Sequence, residues 1–210
     1  MLKRTFDVIV SALGLVVLAP FFAVIALLIR LEDVGSVFYR GVRVGRDSKP
    51  FRIFKFRSMV IDAEKIGGSS TPTDDPRILR IGKFMRQYKL DEFPQLLNVL
   101  RGEMSLVGPR PEVQYYVDMY TEEERTILRV RPGITDWASL WNSDEGALLA
   151  GSLDPEKTYL ENIRPHKIRL QLKYVHQQSF WTDLTILLQT LVAVIFRVKP
   201  RALSAVNEKV

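Results

Sequence analysis

The chain has 210 residues, of which 47% are hydrophobic and 26% charged, with a formal net charge of +6. That much charge excludes a protein made mostly of membrane spans, and the absence of cysteine excludes disulfides, zinc–thiolate sites and a cysteine nucleophile. A basic balance suits nucleic acid, an anionic membrane surface or phosphate-bearing substrates, and does not choose among them. The two histidines, His166 and His176, are too few for a metal cluster and are expected on a helix surface.

From Val8 to Ile29 the chain is almost wholly apolar, interrupted by Ser11, Gly14 and Pro20. About 20 such residues suffice to cross a bilayer core. The run is too long for a signal-peptide core and lacks a small-x-small cleavage site. Lys3 and Arg4 precede it, and Arg30, Arg40, Arg43 and Arg46 follow it. Basic flanks are usually cytoplasmic, so the rest of the chain is expected there. Pro20 removes a helical hydrogen bond near the middle. A kinked through-going anchor and a helix that turns back to the face it entered both fit that residue.

The next segment, 37–57, reads as two short strands around the polar turn Gly45 to Pro50, the second strand interleaving Arg52, Lys55 and Arg57 with aromatics. Either this is a solvated face or it is a cationic face aimed at phosphate. Gly67 to Pro76 is a loop by composition. Arg77 to Tyr88 reads as a short basic helix, and Leu96 to Leu100 as part of a second, with Pro94 in its first turn. Glu112 to Val130 reads as a third, amphipathic helix. Asp154-Pro155 opens a further helical stretch that Pro165 is expected to bend. Phe180 to Phe196 is strongly apolar but short for a span, and fits a helix in the membrane interface or packed on the core. The tail from Lys199 is expected to be disordered.

The stretch with most chemistry runs from Lys89 to Glu112. Asp91 and Glu92 open a helix, where acidic residues ordinarily serve as caps and offset the helix dipole. Here they are bracketed by Arg80, Lys83, Arg86 and Lys89 on one side and Arg101 and Arg110 on the other. Arg110 lies between Pro109 and Pro111, which stiffen the backbone on both sides of a guanidinium suited to bidentate phosphate recognition. Carboxylates beside fixed guanidinium groups can hold a divalent cation and a diphosphate together, and an aspartate can itself attack phosphorus.

Several long motifs in one order resemble the bacterial sugar transferases, the monotopic phosphoglycosyl transferases. They are Lys3-Arg4-Thr5-Phe6-Asp7, Phe54-Lys55-Phe56-Arg57-Ser58-Met59, the block from Leu90-Asp91-Glu92 to Arg110-Pro111, Arg131-Pro132-Gly133-Ile134-Thr135 and Ser179-Phe180-Trp181-Thr182-Asp183-Leu184. The resemblance implies an α/β fold, mostly α. It has an N-terminal re-entrant membrane helix broken at Pro20 (1–35), a single small cytoplasmic catalytic domain with interfacial amphipathic helices (36–197) and a flexible tail (198–210). It implies that Asp91 attacks the β-phosphate of a UDP-sugar, expelling UMP, and that polyprenyl (undecaprenyl) phosphate then takes the phosphosugar. Glu92 matches the residue associated with Mg²⁺ and with the second half-reaction, and Arg57, Arg86 and Arg110 match basic positions around the phosphates. Arg57 is often lysine in the family, a change that keeps charge but not geometry. The implied location is the bacterial inner membrane, with membrane lipid as a partner and the catalytic domain on its cytoplasmic face, at the first membrane step of glycoconjugate synthesis. The family run Gly-Trp-Ala-Gln-Val-Asn-Gly-Arg is replaced here by Asp136 to Asp144, so no binding residue is carried over from that loop. No heptad marks a dimer interface, and a homodimer stays open. No nucleic-acid module is recognised, so nucleic acid is not an expected partner; a membrane-anchored basic nucleic-acid-binding or scaffold protein is the alternative reading.

Overall fold

A computed structural model describes residues 1–66, 71–142 and 145–196. Residues 67–70 of the predicted loop, 143–144 of the divergent segment, and the predicted tail lie outside the described residues.

Helix α1 (Leu2–Glu32) is the apolar run, and it is the one described helix long and apolar enough to cross a membrane. A single stripe faces the rest of the protein. Asp7, Ser11, Ile25 and Ile29 are buried along it, with Phe6, Leu15, Leu18 and Phe22 half-buried between them. Their spacing of three and four residues is that of one helix face. The opposite side exposes Leu13, Val16, Val17, Val24 and Leu27. Pro20 is exposed, and the helix continues across it without the expected break. Its ring needs only a helical φ and gives up one hydrogen bond, so it permits a bend without ending the helix.

After α1 the chain makes four strands rather than the two expected. β1 (Phe38–Tyr39) pairs antiparallel with β4 (Lys55–Phe56), and β2 (Val42–Val44) with β3 (Pro50–Arg52). Helix α2 (Ala63–Ile66) leads to α3 (Arg80–Gln87), the predicted basic helix. A 3₁₀ turn (Leu90–Gln95) carries Pro94 and runs into α4 (Leu96–Arg101). Gly102, at φ 80°, closes α4, and Arg4 donates to the terminal carbonyls of Val99 (2.6 Å) and Leu100 (3.2 Å). The start of α1 is thereby fastened to the end of α4.

β5 (Ser105–Val107) and β6 (Gly133–Thr135) pair in parallel, Ser105 opposite Gly133 and Val107 opposite Thr135. The predicted third helix is two pieces, α5 (Gln114–Asp118) and a 3₁₀ turn (Glu124–Arg129). Thr121 and Glu124 exchange backbone–side-chain hydrogen bonds as a capping box, which starts a new turn where one long helix was expected. Beyond β6 come α6 (Trp137–Trp141), α7 (Glu145–Leu149) and α8 (Pro155–Thr158). A π-helical stretch (Tyr159–Ile163) joins α8 to α9 (Arg164–Gln177) and absorbs Pro165, which sits in the first turn of α9. His176 is exposed on α9 as expected, but His166 is half-buried with its ring 4.1 Å from that of Trp141, and burial holds its pKa below the ordinary value.

α10 (Phe180–Phe196) packs on the core along one side, one of the two arrangements expected, and exposes apolar side chains on the other. Asp183 and Ile186 are buried, whereas Trp181, Leu188, Leu191, Ile195 and Phe196 are exposed. Asp183 joins three elements: it accepts from Tyr174 Oη at 2.7 Å and pairs with Lys3 Nζ at 2.5 Å. The main core (Phe51, Val99, Met104, Leu106, Leu140, Tyr174, Ile186) lies between α4, β5, α9 and α10, with α1 laid against it. The whole is a mostly helical domain with one long apolar N-terminal helix, and its strands are only two or three residues long.

Candidate active site

Asp91 and Glu92 sit in the first turn of the 3₁₀ segment, immediately after Lys89, which adopts a left-handed conformation (φ 57°) to reverse the chain out of α3. Asp91 is 1% exposed. Its Oδ2 lies 2.8 Å from Lys55 Nζ, and its Oδ1 is buried without a hydrogen-bond partner. Glu92 is gripped from both sides by Arg110, Nη1 to Oε2 at 2.5 Å and Nη2 to Oε1 at 2.7 Å. Lys55 Nζ is also 3.5 Å from Glu92 Oε1, so one ammonium bridges the two carboxylates. Burial pushes the Glu92 carboxyl up, but the Arg110 and Lys55 charges outweigh it and hold Glu92 well below the ordinary carboxylate range. Arg110 loses to burial and gains more from Glu92, so its pKa is raised.

Each cation is placed by a different element. Lys55 lies on β4 opposite Tyr39. Arg110 is held by its Nη1 donating to the Ile134 carbonyl at 2.8 Å and by its backbone N–H donating to Asp136 Oδ2 at 3.3 Å. Asp136, fully buried, also caps α6 through Ser139 N at 2.7 Å and Oγ at 2.6 Å. The residue that departs from the family pattern is therefore a helix cap with one oxygen turned to the Arg110 backbone. Gly108 and Gly133 allow the strands below to touch: a Cβ on Gly133 would stand 2.0 Å from Gly108 N.

Arg86 projects from α3 and donates through Nε to Ser58 Oγ at 2.9 Å. Burial lowers its pKa, and the Asp91 charge acts in the opposite sense. Gly82, one turn earlier, lets α3 lie directly on the Ser58 carbonyl, where a Cβ would be 2.1 Å from that oxygen.

Arg57 is elsewhere. Its guanidinium pairs with the Asp33 carboxylate and donates to the backbone carbonyls of Asp33 (2.7 Å) and Ser36 (2.6 Å). It ties the end of α1 to the strand that carries Lys55. Glu32 completes that junction by accepting from Arg80 N at 2.5 Å and Ile81 N at 2.8 Å, capping the start of α3. The structure thus brings Asp91, Glu92 and Arg110 together with Arg86 alongside, adds Lys55, and sets Arg57 apart. In the sequence Lys55 stands as one of three cations alternating with aromatics and inside the Phe54 to Met59 motif, with no role of its own assigned to it.

Among the described residues no group of three or more histidine or acidic side chains could enclose a metal ion. The donor set nevertheless suits Mg²⁺, which binds through one or two carboxylates together with substrate phosphates and keeps several waters. The unpartnered Asp91 Oδ1 and the remaining lone pairs of Glu92, whose oxygens each accept from Arg110, are the positions that would hold it.

A second buried ionic group stands two residues beyond Arg110. Lys167 Nζ lies 2.6 Å from Glu112 Oε1 and donates to Tyr159 Oη at 3.1 Å. Burial alone would lower the Lys167 pKa, but the Glu112 charge raises it well above its ordinary value.

Comparison with known proteins places the chain in a family. Residues 1–197 match the model of the family described as bacterial sugar transferase. The undecaprenyl-phosphate glucose phosphotransferase of Komagataeibacter xylinus is 38% identical over 201 residues, covering 92% of this chain and 36% of that protein. The UDP-N-acetylgalactosamine-undecaprenyl-phosphate N-acetylgalactosaminephosphotransferase of Aeromonas hydrophila is 34% identical over 193 residues, covering 90% of this chain and 43% of the relative. The exopolysaccharide production protein ExoY of Sinorhizobium fredii is 34% identical, with 91% of this chain and 84% of the relative covered. The chain thus spans about two-fifths of the length of the first two relatives and most of the third. With the motifs, the acidic pair and the apolar helix all inside the matched region, the chain belongs to the bacterial sugar transferase family.

Proposed function

We propose that this protein transfers a phosphosugar from a UDP-sugar to undecaprenyl phosphate at the cytoplasmic face of a bacterial inner membrane. The observation that carries the reading is a buried carboxylate pair clasped by Lys55 and Arg110 beside Arg86, in a body fastened along an apolar helix. Asp91 is the nucleophile: a carboxylate oxygen bonds to the β-phosphorus as the bond to the α-phosphate oxygen breaks, and UMP leaves with the electron pair. A polyprenyl phosphate oxygen then attacks the same phosphorus, and the acyl phosphate bond breaks to return the Asp91 carboxylate. Lys55, now on Asp91 Oδ2, shifts its charge to the incoming phosphate oxygens, and Arg110 and Arg86 bind the remaining ones. Glu92 holds Arg110 in a bidentate grip and keeps it oriented. Bound Mg²⁺ supplies further charge neutralisation at the diphosphate, as phosphoryl transfer requires. Arg57, paired with Asp33 and the Ser36 carbonyl, holds the end of α1 in this reading, in place of the phosphate contact the resemblance implies.

The way α1 is held supports a re-entrant or interface-lying helix over a spanning one. Its 31 residues extend about 46 Å at about 1.5 Å per residue. Lys3, Arg4 and Asp7 at one end and Glu32 and Asp33 at the other all bond to the same charged body. A straight crossing would draw that body into the hydrocarbon core.

The test is UMP release by detergent-purified protein with Mg²⁺ and a panel of UDP-sugars, with and without undecaprenyl phosphate. The reading expects lipid-dependent turnover that Asp91→Ala abolishes. UMP formation that persists in Asp91→Ala would remove the covalent route, and UMP from no donor, with the protein folded, would remove the reaction.

A further inference from the structure

The reaction as derived above leaves Lys167 and Glu112 without a part. Neither bonds to the acidic pair, yet their side chains are only 14% and 12% exposed. Taking two charges out of water is costly, and such a pair often holds a fold no better than apolar residues of the same volume. The geometry around it shows what it positions. Glu112 Oε1 lies 2.6 Å from Lys167 Nζ and accepts from Tyr159 Oη at 3.1 Å, while Lys167 Nζ donates to Tyr159 Oη at 3.1 Å, which closes a triangle. Tyr159 is buried in a cluster with Tyr116, Leu149 and Ile163, so the triangle is set against packed side chains. The Glu112 backbone carbonyl accepts from Val44 N of β2 at 2.9 Å. Glu112 is thus held by its side chain and by its main chain.

The link from Glu112 back to Arg110 is short and stiff. Pro111 alone stands between them. Its ring fixes its own φ and confines Arg110, the residue before it, to extended conformations. With Glu112 held, few dihedral angles remain by which the Arg110 backbone can move. Gln171, one turn beyond Lys167 on the same face of α9, supports the same segment. It is fully buried, with Nε2 3.5 Å from the Arg110 carbonyl and 3.4 Å from Asp136 Oδ2. Tyr174, next along that face, donates to the Val107 carbonyl at 3.1 Å. One polar stripe of α9 therefore backs the chain from Val107 to Glu112. The guanidinium carried by that chain is the one that grips Glu92 at 2.5 and 2.7 Å. Misplacing such a group by about 1 Å can cost a reaction up to about 10²-fold in rate.

We propose that Lys167 and Glu112 are positioning residues of the transfer: their ion pair sets the backbone from which Arg110 reaches Glu92 and the donor phosphates. The inference rests on the donor reading above. The test measures kcat, KM for the donor and melting temperature of the purified full chain, with undecaprenyl phosphate and the UDP-sugar that the wild type turns over best. The variants are Lys167→Met, Glu112→Gln and the two combined. Lys167→Met alone leaves a buried carboxylate uncompensated, and its melting temperature and kcat are both expected to fall. Replacing both charges removes that penalty, so the double variant is expected to melt near the wild type. Its kcat is expected to stay about ten-fold down with KM within about two-fold, because the tether on Arg110 is still missing and the loss falls on the transition state. Arg164→Gln breaks an ion pair of the same helix, with Glu124 at 3.1 Å, and is the control for a loosened α9. It is expected to lower the melting temperature and leave kcat within about two-fold. Glu112→Gln keeps the shape of the side chain and an acceptor for Tyr159, so it reports on kcat even where Lys167→Met does not fold. A double variant that regains kcat together with its melting temperature overturns the proposal. So does a loss of kcat in Arg164→Gln equal to that of the double variant, and so does a loss confined to KM, which would make Lys167 a donor contact. Release of UMP from no donor by the wild type marks failure of the donor reading, and this inference falls with it; any of the other outcomes in a wild type that turns over marks failure of this inference alone.

Discussion

Lys55 is the residue on which the two carboxylates converge, and it is the one that alternation along a strand could not single out. Arg52, Lys55 and Arg57 share one short stretch, yet the chain puts one in solvent, one on Asp91 and one on Asp33. Strands of two or three residues cannot hold a period long enough to assign faces. Asp91, Glu92 and Arg110 were legible because their chemistry is local: an acidic pair at a helix start and a proline-locked arginine. Removing the bridging ammonium leaves two buried carboxylates facing each other, so Lys55→Ala is expected to cut kcat by on the order of 10²–10³, as when a preorganised charge partner is lost. Lys55→Arg should recover part of it, and steady-state UMP release reads both. The Glu92 carboxyl, depressed in the folded state, contributes stability that is complete above its ordinary pKa of 4.5 and is lost as pH falls below that value toward its folded one. Thermal denaturation from pH 7 to pH 3 is therefore expected to show a steeper acid-side loss for the wild type than for Glu92→Gln.

Among the elements, α3, α4 and α10 were readable from composition and turn signals, and the boundaries of α10 coincide with the apolar run. The parallel pair β5–β6 was not, because each strand has three residues and its partner lies 28 positions away, at Gly133 for Ser105. The interruption between α5 and the following 3₁₀ turn was present in the sequence as Thr121 and Glu124, a spacing masked by the acidic run around it. The capping of α3 by Glu32 could not be seen from α3 itself, because the capping carboxylate lies 48 residues earlier, at the end of α1. Glu32→Ala should cost about 1 kcal/mol, the usual value of a lost N-terminal cap. Because α3 carries Arg86, it should also raise KM for the donor, whereas a purely structural loss would lower the melting temperature alone. At the crossing of β5 and β6, Gly133→Ala puts a methyl group onto the Gly108 backbone. Pushing the strands apart should displace Arg110, so reduced activity is expected to accompany reduced stability, read by UMP release and urea denaturation.

For the molecule as a whole, the absence of cysteine makes topology directly measurable. Single cysteines at Thr5 and Val34, both exposed and flanking the apolar run, should be modified by a membrane-impermeant maleimide from the same face of oriented vesicles. Modification from opposite faces would make α1 a span and break the contacts that tie both of its ends to one body. Composition alone left those alternatives open, since basic residues flank both ends. The stripe of Asp7, Ser11, Ile25 and Ile29 lays one side of the helix on the protein and leaves the other exposed, and the labelling pattern decides between the two readings.

The ion pair between Lys3 and Asp183 has a bearing on how the chain is made. The two residues are separated by 180 positions. At a synthesis rate of about 5–20 residues per second, Asp183 is polymerised about 9–36 s after Lys3. Throughout that interval the N-terminal helix has neither its α10 partner nor, for the first part, the strand and helix that Asp7 and Arg4 later bond to. Until Ser105 is made, Asp7 lacks the hydroxyl from which it accepts in the finished fold. The contact that fastens the start of α1 to α10 is therefore among the last that the growing chain can make, long after α1 itself is complete.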